Sequence, residues 1–341
     1  RKAKMIMKHT AKKKARNVTL DQLAEQLGIS RSAVSLALNG KPGVSEATRE
    51  TVMKCASELN YRVCLKGRKM DLIGVITPRL SDSFFSEIAV GIEGAAAEHD
   101  YDVIIHAVER CRFKSEQVVR RLAEKVDGMI IVANWVRKEH YEAFLSRNIP
   151  VVCLGEEPGI SLPSVYMDTR KACELVMNHL AGLGHREIVY CHSFSTYSQD
   201  RLKCTEEIAR AKGLKLIPCA IEDEINIEKA FFGFSNFLEM GNRFTAVACS
   251  TDYIASGVLQ ALNRADIQVP HEVSLVGFDN LVWSKLLNPS LTTIQQPQLE
   301  QGEAAMHMLL ELMKGKAVRN FMMEPSLIVR NSTAPVLAGP R

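Results

Sequence analysis

Seven short apolar runs recur between residues 72 and 278, and this recurrence constrains the fold more than any other feature of the chain. The runs, separated by segments of helix or loop length, are LIGVIT (72–77), DVIIHAV (102–108), GMIIVA (128–133), PVVCLG (150–155), EIVYCH (187–192), TAVACS (245–250) and VSLVGF (273–278). Repeated strand–helix units predict parallel sheets covered by helices on both faces. The runs outnumber the strands that a single sheet usually contains, and the loop EEPGISLP at 156–163 is a candidate boundary between two lobes. We therefore predict two doubly wound α/β lobes.

A smaller helical domain is predicted ahead of the lobes, over residues 18–62. Thr19 can cap a first helix, which ends at Gly28. Ser30 can cap a second helix, and a third begins at Ser45. A capped helix directly after a glycine turn is the helix-turn-helix pattern, whose second helix lies in the major groove of DNA. The alternative is a plain helical hairpin with a solvated face, because this shape also occurs without DNA.

The second helix lies within ISRSAVSLALNG (29–40) and has two unlike faces. Helical spacing places an apolar stripe on one side and small or polar residues on the other. The stripe is Val34, Ala37 and Leu38, and the opposite face is Arg31, Ser32, Ser35 and Leu36. Arg31 can pair with guanine, the serines are less selective, and Leu36 can pack on a thymine methyl group. The second face is therefore a candidate surface for reading DNA bases.

Charge is distributed unevenly along the chain. Residues 1–69 hold 16 Lys and Arg against 5 Asp and Glu, a net charge of +11, whereas residues 70–341 hold 27 against 34, a net charge of −7. The basic end is a candidate module for binding a polyanion. Residues 1–17 form a basic tail, which the sequence leaves open as either a part of that module or a disordered, solubilising segment.

Several other classes of protein lack support in the sequence. The nine cysteines are scattered singly, without a C-x-x-C pair or a histidine at metal-ligand spacing, which is typical of thiols in a reducing cytosol. We found no G-x-G-x-x-G, Walker A or G-x-S-x-G motif after a strand, and His185 reads as a turn or capping residue. With no signal-peptide core or membrane-length apolar run, we expect a cytoplasmic protein that is not an enzyme and holds no metal or cofactor.

Polar residues follow several of the predicted strands, at the edge where open α/β sheets bind ligands. Residues 81–85, which include Phe84 and Phe85, follow the first run, and Arg201 lies in the helix after EIVYCH. Thr251 and Asp252 follow TAVACS, and Asp279 follows VSLVGF. Carboxylates and a guanidinium that converge on a cleft suit a hydroxyl-rich ligand. Each also has a structural alternative as a surface charge or helix cap, and Asp252 in particular can simply cap the following helix.

The sequence resembles the lactose/galactose repressor family of transcription regulators over nearly its whole length. The matching segments, in family order and spacing, are VTLDQLAEQLGISRSAVSLALNG, LNYR, IGVITPRLSDSFFSEIAVGIEGAA, DGMIIV, GLGHREI, STDYIASGVLQAL, VSLVGFDN, SLTTIQQP and LIVRNST. The resemblance implies a helix-turn-helix headpiece, a hinge, and a core like the periplasmic sugar-binding proteins. It also implies a repressor whose affinity for operator DNA changes when a small-molecule effector binds.

The resemblance implies roles for particular residues. Arg31 and Ser32 match the main base-reading positions and Leu36 a third, and the expected DNA contacts are Thr19, Arg31, Ser32, Ser35, Leu36, Asn39, Arg68 and Met70. The expected effector contacts are Phe84, Phe85, Arg201, Thr251, Asp252 and Asp279. Thr251 and Asp252 replace the usual Asn-Asp pair of the family, which removes one amide from the site.

The hinge departs from the family pattern. Val63 stands where many members have proline, Gly67 interrupts a short helix, and Met70 replaces a leucine that wedges between base steps in the minor groove. Glycine and the missing proline both weaken a helix at this position.

From the resemblance we expect a hinge at 63–70 and a core at 71–341, with a first lobe of about 71–162 plus 293–324 and a second of about 163–292 plus 325–341. Because no heptad tail follows NSTAPVLAGPR, we expect a homodimer on palindromic operator DNA, with a sugar or sugar derivative as effector. Two alternative functions are a sugar-binding protein that does not bind DNA and a cytosolic enzyme that acts on sugars. The first would serve in transport, and a transport role would require the protein to be exported.

The assignment of Arg31 to base reading yields a direct test. Arg31→Ala should relax base preference at one symmetric pair of operator positions, at a cost of about 1–3 kcal/mol per contact, because a lost bidentate pair with guanine discriminates bases. Affinity for non-specific DNA should change much less. Competition binding against operators mutated one position at a time measures both quantities. A uniform loss across all sequences would instead assign Arg31 to a phosphate contact.

Overall fold

A computed structural model describes residues 20–38, 42–58, 70–107, 121–132, 144–155 and 162–336 of the chain. Its contacts divide the chain into two compact units, Arg1–Lys69 and Met70–Arg341. No helix among the described residues is long and apolar enough to cross a membrane.

The described part of the first unit contains three helices: α1 (Leu20–Leu27), α2 (Arg31–Leu38) and α3 (Glu46–Glu58). Gly28 turns the chain between α1 and α2 at a φ of +63°, a left-handed conformation that favours glycine. The Ser30 hydroxyl accepts a hydrogen bond from the Ala33 amide (3.1 Å), and the Ser45 hydroxyl accepts one from the Thr48 amide (3.1 Å). The cap predicted at Ser30 is therefore present, and Ser45 caps the third helix, which was expected to begin there. Thr19, the other predicted cap, lies outside the described residues.

A small apolar core holds these helices together, because each helix alone is too short to be stable in water. It is formed by Leu23, Ala24, Val34, Ala37, Val52 and Cys55. The stripe predicted for α2 is thus confirmed at Val34 and Ala37, which are buried, while Leu38 packs against the edge of the core.

The second unit contains two six-stranded sheets among its described residues. The first has the order β11-β5-β4-β3-β1-β2 and the second β12-β10-β9-β8-β6-β7. The strands are β1 (Leu72–Thr77), β2 (Asp102–Ala107), β3 (Gly128–Val132), β4 (Val151–Leu154), β5 (Ser164–Met167), β6 (Glu187–His192), β7 (Lys215–Ala220), β8 (Ala246–Cys249), β9 (Ser274–Asp279), β10 (Thr292–Gln295), β11 (Phe321–Met323) and β12 (Ser326–Ile328). All the pairings are parallel except that of β10 with β12, which is antiparallel.

Helices cover these sheets, as parallel strands require. They are α4 (Ser83–Ala97), α5 (Thr169–Gly182), α6 (Thr196–Ala211), α7 (Ile227–Glu239), α8 (Asp252–Arg264), a 3₁₀ turn (Val282–Leu286) and α9 (Gln298–Met313). In the first lobe, α4 and α9 share an apolar core with one face of the sheet. In the second lobe, α7 and α8 pack on one face of the sheet, and α5 and α6 pack on the other. The two doubly wound lobes predicted from the sequence are confirmed, and all seven apolar runs form strands.

The boundaries between the lobes differ from those expected. Residues 164–167 form β5 in the first sheet rather than the start of the second lobe, because Cys153 and Ser164 are paired in parallel register. Residues 292–295 form β10 in the second sheet, because Thr292 pairs with Val276. The chain therefore completes each of these strands before it crosses to the other lobe. Pairing with strands on both sides satisfies the backbone hydrogen-bonding groups that a crossing segment would leave unpaired.

Helices α4 and α9 approach each other so closely that two glycines form the contact. A Cβ atom on Gly302 would overlap the carbonyl oxygen of Ile88, and one on Gly91 would overlap the carbonyl oxygen of Leu299. Gly94, also in α4, is exposed and has open space around its Cα atom.

This contrast predicts opposite effects on stability. Gly302→Ala should lower the free energy of unfolding by about 1–3 kcal/mol, because the backbones must move apart. Gly94→Ala is the matched control and should raise the same quantity by up to about 1 kcal/mol through helix propensity. Urea unfolding of the three proteins measures both changes. A Gly302→Ala variant as stable as the Gly94→Ala variant would contradict the close approach.

Candidate functional site

Helix α2 presents the surface predicted to read DNA. Arg31 and Ser32, in its first turn, are exposed, while Ser35 and Leu36 are half-buried beside the core. Leu36 leans toward the turn before α3, where a Cβ atom on Gly43 would lie 3.2 Å from its Cδ1 atom. The face opposite the core therefore begins with a guanidinium and a hydroxyl group, as the sequence predicts.

Arg49 of α3 stabilises the end of this helix, a role that the sequence did not reveal. Its Nη1 atom donates to the carbonyl oxygens of Ala37 (3.0 Å) and Leu36 (3.4 Å). The last carbonyls of a helix lack partners within the helix, and a cation there also complements the helix dipole. One of the positive charges of this unit is thus structural.

Of the four remaining predicted DNA contacts, the structure describes one, Met70, at the start of the second unit. Thr19, Asn39 and Arg68 lie outside the described residues. Met70 is described, and its amide donates to both carboxylate oxygens of Asp127 (2.8 and 3.1 Å). Met70 is 40% exposed and lies two residues before β1.

A cavity of about 390 Å³ opens between the two lobes, beside the carboxyl ends of their strands. Its size suits a small organic molecule. Phe84 and Phe85 contribute aromatic surface from the first lobe, with their rings edge to face at 5.2 Å. Its charged lining residues are Asp82, Arg170, Asp200, Arg201, Glu224 and Asp279.

Arg201 is held rigidly in the wall of this cavity. Its Nη1 atom donates to the carbonyl oxygen of Ser250 (2.5 Å) and lies 3.8 Å from Asp279 Oδ1, and its Cζ atom is 3.6 Å from the centre of the Phe278 ring. Stacking on an aromatic face and a fixed acceptor both restrict the guanidinium. Arg201 is only 9% exposed, so a ligand meets a group that is already oriented.

Asp279 lies on the floor of the cavity in an unusual backbone conformation. Its φ is +112°, which is strained for a non-glycine residue. Gln296 Nε2 donates to its carboxylate and Gln298 Nε2 donates to its carbonyl oxygen, both at 2.6 Å. Burial raises the pKa of this carboxyl well above its ordinary value; Arg201 opposes the rise, and Asp252 and Asp82 add to it. The Asp279 carboxyl group is thus a desolvated hydrogen-bonding group with a fixed direction.

Asp82 and Glu224 bring a second pair of carboxyl groups to the cavity, one from each lobe. Asp82 caps α4 by accepting from the Phe84 amide (3.0 Å). Glu224 accepts from the hydroxyl groups of Ser193 (2.7 Å) and Ser195. Burial and the nearby charge of Glu224 raise the pKa of Asp82 to about 6.

Two contacts join the lobes beside the cavity. Arg79 lies 3.7 Å from Asp223 as an ion pair. The Tyr253 hydroxyl accepts from the Ser83 amide (3.1 Å) and lies 3.0 Å from the Ser83 hydroxyl. Any change in the angle between the lobes must therefore break or lengthen these polar contacts.

Comparison with known proteins identifies the family of the chain. Residues 19–63 match the family described as "Bacterial regulatory proteins, lacI family", and residues 177–333 match a periplasmic binding protein-like domain. The chain is 32% identical to the HTH-type transcriptional repressor CytR of Escherichia coli (strain K12), over 95% of this chain and 98% of that protein. The chain belongs to the lacI family. The DNA-binding regulatory function expected from the sequence is thereby confirmed, and the relatives are regulators rather than enzymes.

Two solved structures of lacI-family regulators resemble this chain. The lac repressor dimer bound to operator and the anti-inducer ONPF is 28% identical and has a TM-score of 0.72, covering 94% of this chain and 100% of that one. A regulator from Enterococcus faecalis V583 with bound ribose is 25% identical and has a TM-score of 0.69, covering 78% of this chain and 100% of that one.

Five of the six effector contacts expected for a lacI-family member line the cavity together: Phe84, Phe85, Arg201, Thr251 and Asp279. Asp252 does not. Its side chain is fully buried and accepts from the Leu281 amide (2.8 Å) and the Thr293 hydroxyl (2.6 Å), so both carboxylate oxygens are used inside the lobe. The cap of α8 is instead Thr251, whose hydroxyl accepts from the Ile254 amide (3.1 Å). Asp252 is thus a structural carboxyl group.

Sequence reasoning missed several of the polar residues that line the cavity. Asp82 was inside the stretch singled out after the first strand, but its role as a helix cap was not recognised. Glu224 follows β7, an edge strand without a continuous apolar run, so nothing in the local pattern indicated a strand end there. His185 is a turn residue, as expected. It is buried, with hydrogen bonds to Thr245, Ser274 and Ala334.

The raised pKa of Asp82 predicts a pH-dependent effect on stability. Its pKa rises from 3.8 to about 6, so the folded protein holds this proton more tightly and ionisation opposes folding. This cost is absent below about pH 4, grows up to about pH 6 and is constant above. Asp82→Asn keeps the cap and removes the cost, so its free energy of unfolding relative to the unmodified protein should rise by about 2–3 kcal/mol between pH 4 and pH 7.

Denaturant unfolding at pH 4, 5.5 and 7 checks this expectation. Asp168→Asn is the matched control, because Asp168 caps α5 through the Lys171 amide (2.9 Å) in a more open position. The difference between the two variants should therefore increase with pH. A difference that is independent of pH would show that ionisation of Asp82 does not oppose folding.

Proposed function

We propose that this protein is a transcriptional repressor that acts in the cytoplasm without enzymatic activity. It binds palindromic operator DNA as a homodimer, and its operator affinity changes when a neutral, hydroxyl-rich molecule occupies the cavity. The observation that supports this most is the fixed, buried arrangement of Arg201 and Asp279 in that cavity. The effector is a sugar or a sugar derivative.

The chemistry of the cavity favours hydroxyl groups over anions. Four carboxyl groups line it, Asp82, Asp200, Glu224 and Asp279, against the guanidinium groups of Arg170 and Arg201. Both guanidiniums already have acidic partners, since Arg170 donates to Glu207 (3.1 Å) and Arg201 lies beside Asp279. Carboxylates accept strong hydrogen bonds from hydroxyl groups, whereas a phosphate or carboxylate on the ligand would be repelled.

The aromatic and polar surfaces are placed on different walls. Phe84 and Phe85 lie on the side of the first lobe, and Arg201, Thr251 and Asp279 on the side of the second. A sugar ring has an apolar face and a polar edge, so it can contact both walls at once. The structure with bound ribose belongs to a relative with the same fold, which agrees with this assignment.

In the DNA-binding unit, Arg31 and Ser32 are proposed to read bases and Leu36 to contact a third position. The exposure of the first two in the first turn of α2 supports this proposal, since recognition helices contact base edges with their N-terminal residues. Ser35 and Met70, together with Thr19, Asn39 and Arg68, are proposed as further contacts on the operator.

A binding screen tests the effector class. Operator fragments selected by the protein from random duplexes would be titrated with and without neutral pentoses, hexoses, disaccharides and nucleosides, and with sugar phosphates. At least one neutral compound should change operator affinity, and sugar phosphates should have no effect. A change caused only by anionic compounds would contradict the proposed class.

Substitution of a single carboxyl group tests the site itself. Asp279→Asn should weaken binding of the sugar found in this screen at least tenfold, because it replaces an acceptor oxygen by an NH₂ donor, and an unsatisfied buried polar group costs about 1–3 kcal/mol. Operator affinity without sugar should stay nearly unchanged. Asp266→Asn is the matched control, an exposed aspartate two residues after the end of α8 that does not line the cavity, and it should alter sugar affinity less than about threefold. Equal effects of the two substitutions on calorimetric affinity would contradict the assignment.

A further inference from the structure

Two cysteines form a pair of neighbouring thiols in the wall of the cavity. Cys173, in α5, is buried, and Cys204, in α6, is half-exposed and lines the cavity. Both side chains pack in the same apolar cluster of the second lobe, between α5 and α6. The Cys173 thiol also lies 3.7 Å from the carbonyl oxygen of Arg201, which can accept its proton.

The surroundings of the pair distinguish the two sulfur atoms. The hydrogen bond from Cys173 and the positive charge of Arg170 lower the pKa of Cys204, against an opposing effect of burial. The same hydrogen bond and deeper burial raise the pKa of Cys173 well above its ordinary value. The sulfur that ionises more readily is therefore the one that a small molecule can reach from the cavity. Reactive cysteines typically have such partly exposed, electropositive surroundings.

We propose that Cys173 and Cys204 are a peroxide-reactive dithiol that closes to a disulfide in the wall of the cavity. The Cys204 thiolate attacks one oxygen of hydrogen peroxide; the O–O bond breaks, a sulfenic acid forms, and the other oxygen leaves as hydroxide and takes up a proton to become water. The Cys173 sulfur then attacks the sulfenic sulfur, the S–O bond breaks, and the hydroxyl group leaves with the Cys173 proton as a second water. Two thiols are oxidised and one peroxide is reduced.

Three other cysteines provide internal controls. Cys191 pairs in register with Cys219 on one neighbouring strand and with Cys249 on the other, so all three lie close together in the second sheet. All three are buried in the apolar core. Burial raises the pKa of Cys191, and the neighbouring Cys191 thiol together with burial raises that of Cys219. Neighbouring cysteines therefore occur both in the Cys173–Cys204 pair and in the apolar core. Of these five residues, Cys204 is the one that lines the cavity.

The consequence of oxidation follows from the position of Cys204 in α6. It lies one helical turn after Arg201, so a bond from Cys204 to α5 restrains the segment that holds the guanidinium in the cavity. Oxidation would also draw the Cys204 sulfur away from the cavity. This consequence rests on the proposed function, because it assumes that the cavity binds the effector, whereas the thiol chemistry does not.

The experiment uses the full chain and hydrogen peroxide. After brief oxidation, free thiols are blocked with iodoacetamide and the protein is digested with trypsin. We expect a disulfide between the peptides ACELVMNHLAGLGHR (172–186) and CTEEIAR (204–210), and its loss after dithiothreitol. Without peroxide, native Cys204 should react with iodoacetamide at least tenfold faster than Cys191, Cys219 and Cys249.

Conservative variants separate the two steps. Cys173→Ser should leave a sulfenic acid on Cys204, trapped by dimedone, whereas Cys204→Ser should give neither the linked peptide nor the adduct. The proposal is overturned if the unmodified protein gives no linked peptide, or if Cys204 is alkylated as slowly as the three core cysteines. Oxidation should weaken the affinity for the sugar found in the screen above at least fivefold, and reduction should restore this affinity. If no sugar is found, the proposed function fails while the linked peptide still tests the dithiol.

Discussion

The buried carboxyl group of Asp252 holds together the part of the second lobe on which the effector cavity rests. It begins α8 after β8, accepts from the Leu281 amide after β9, and accepts from Thr293 in β10. Three neighbouring strand ends are thus tied to one side chain. Burial raises its pKa to about 7, so the hydrogen bonds offset a real desolvation cost. Gly277 makes the arrangement possible, because a Cβ atom there would overlap the Asp252 carboxylate.

The strained backbone at Asp279 follows from the same arrangement. Leu281, two residues later, is held by Asp252, and Gln296 and Gln298 fix Asp279 from the crossing to the first lobe. The Asp279 carboxyl group therefore belongs to one lobe but is oriented by residues at the connection between the two. A ligand that bonds to Asp279 acts directly on that connection. The coupling free energy between two binding sites of a protein, here those for effector and operator, is typically about 1–3 kcal/mol.

The parts of the fold that could be predicted from the sequence are those in which a local run of apolar residues corresponds to a buried element. Buried parallel strands give continuous apolar runs, which made six of the seven predicted strands and the two-lobed architecture predictable. The seventh, β2, is an edge strand without a buried residue, and its run DVIIHAV is apolar nevertheless. The edge strand β7 gives no such run. β7 has a single buried residue, Cys219, and contains Pro218, which is tolerated at an edge, and Glu224 after this strand was missed. Thr251 lines the cavity as expected but also caps α8, whereas Asp252 does neither. Adjacent residues at a helix start point in different directions, which the spacing does not determine.

Helix α6 carries both a guanidinium group and a thiol group that line the cavity. Arg201 and Cys204 are separated by one turn, with Ser198 another turn before them, hydrogen-bonded to Ser250 at 2.9 Å. Ser250 in turn accepts from Arg201 through its carbonyl oxygen, so the helix is attached to the end of β8 by two bonds. A helix moves as a rigid unit over one or two turns. A shift of α6 at Cys204 would therefore also move the Arg201 guanidinium and the end of β8, because the same two turns of helix hold all three.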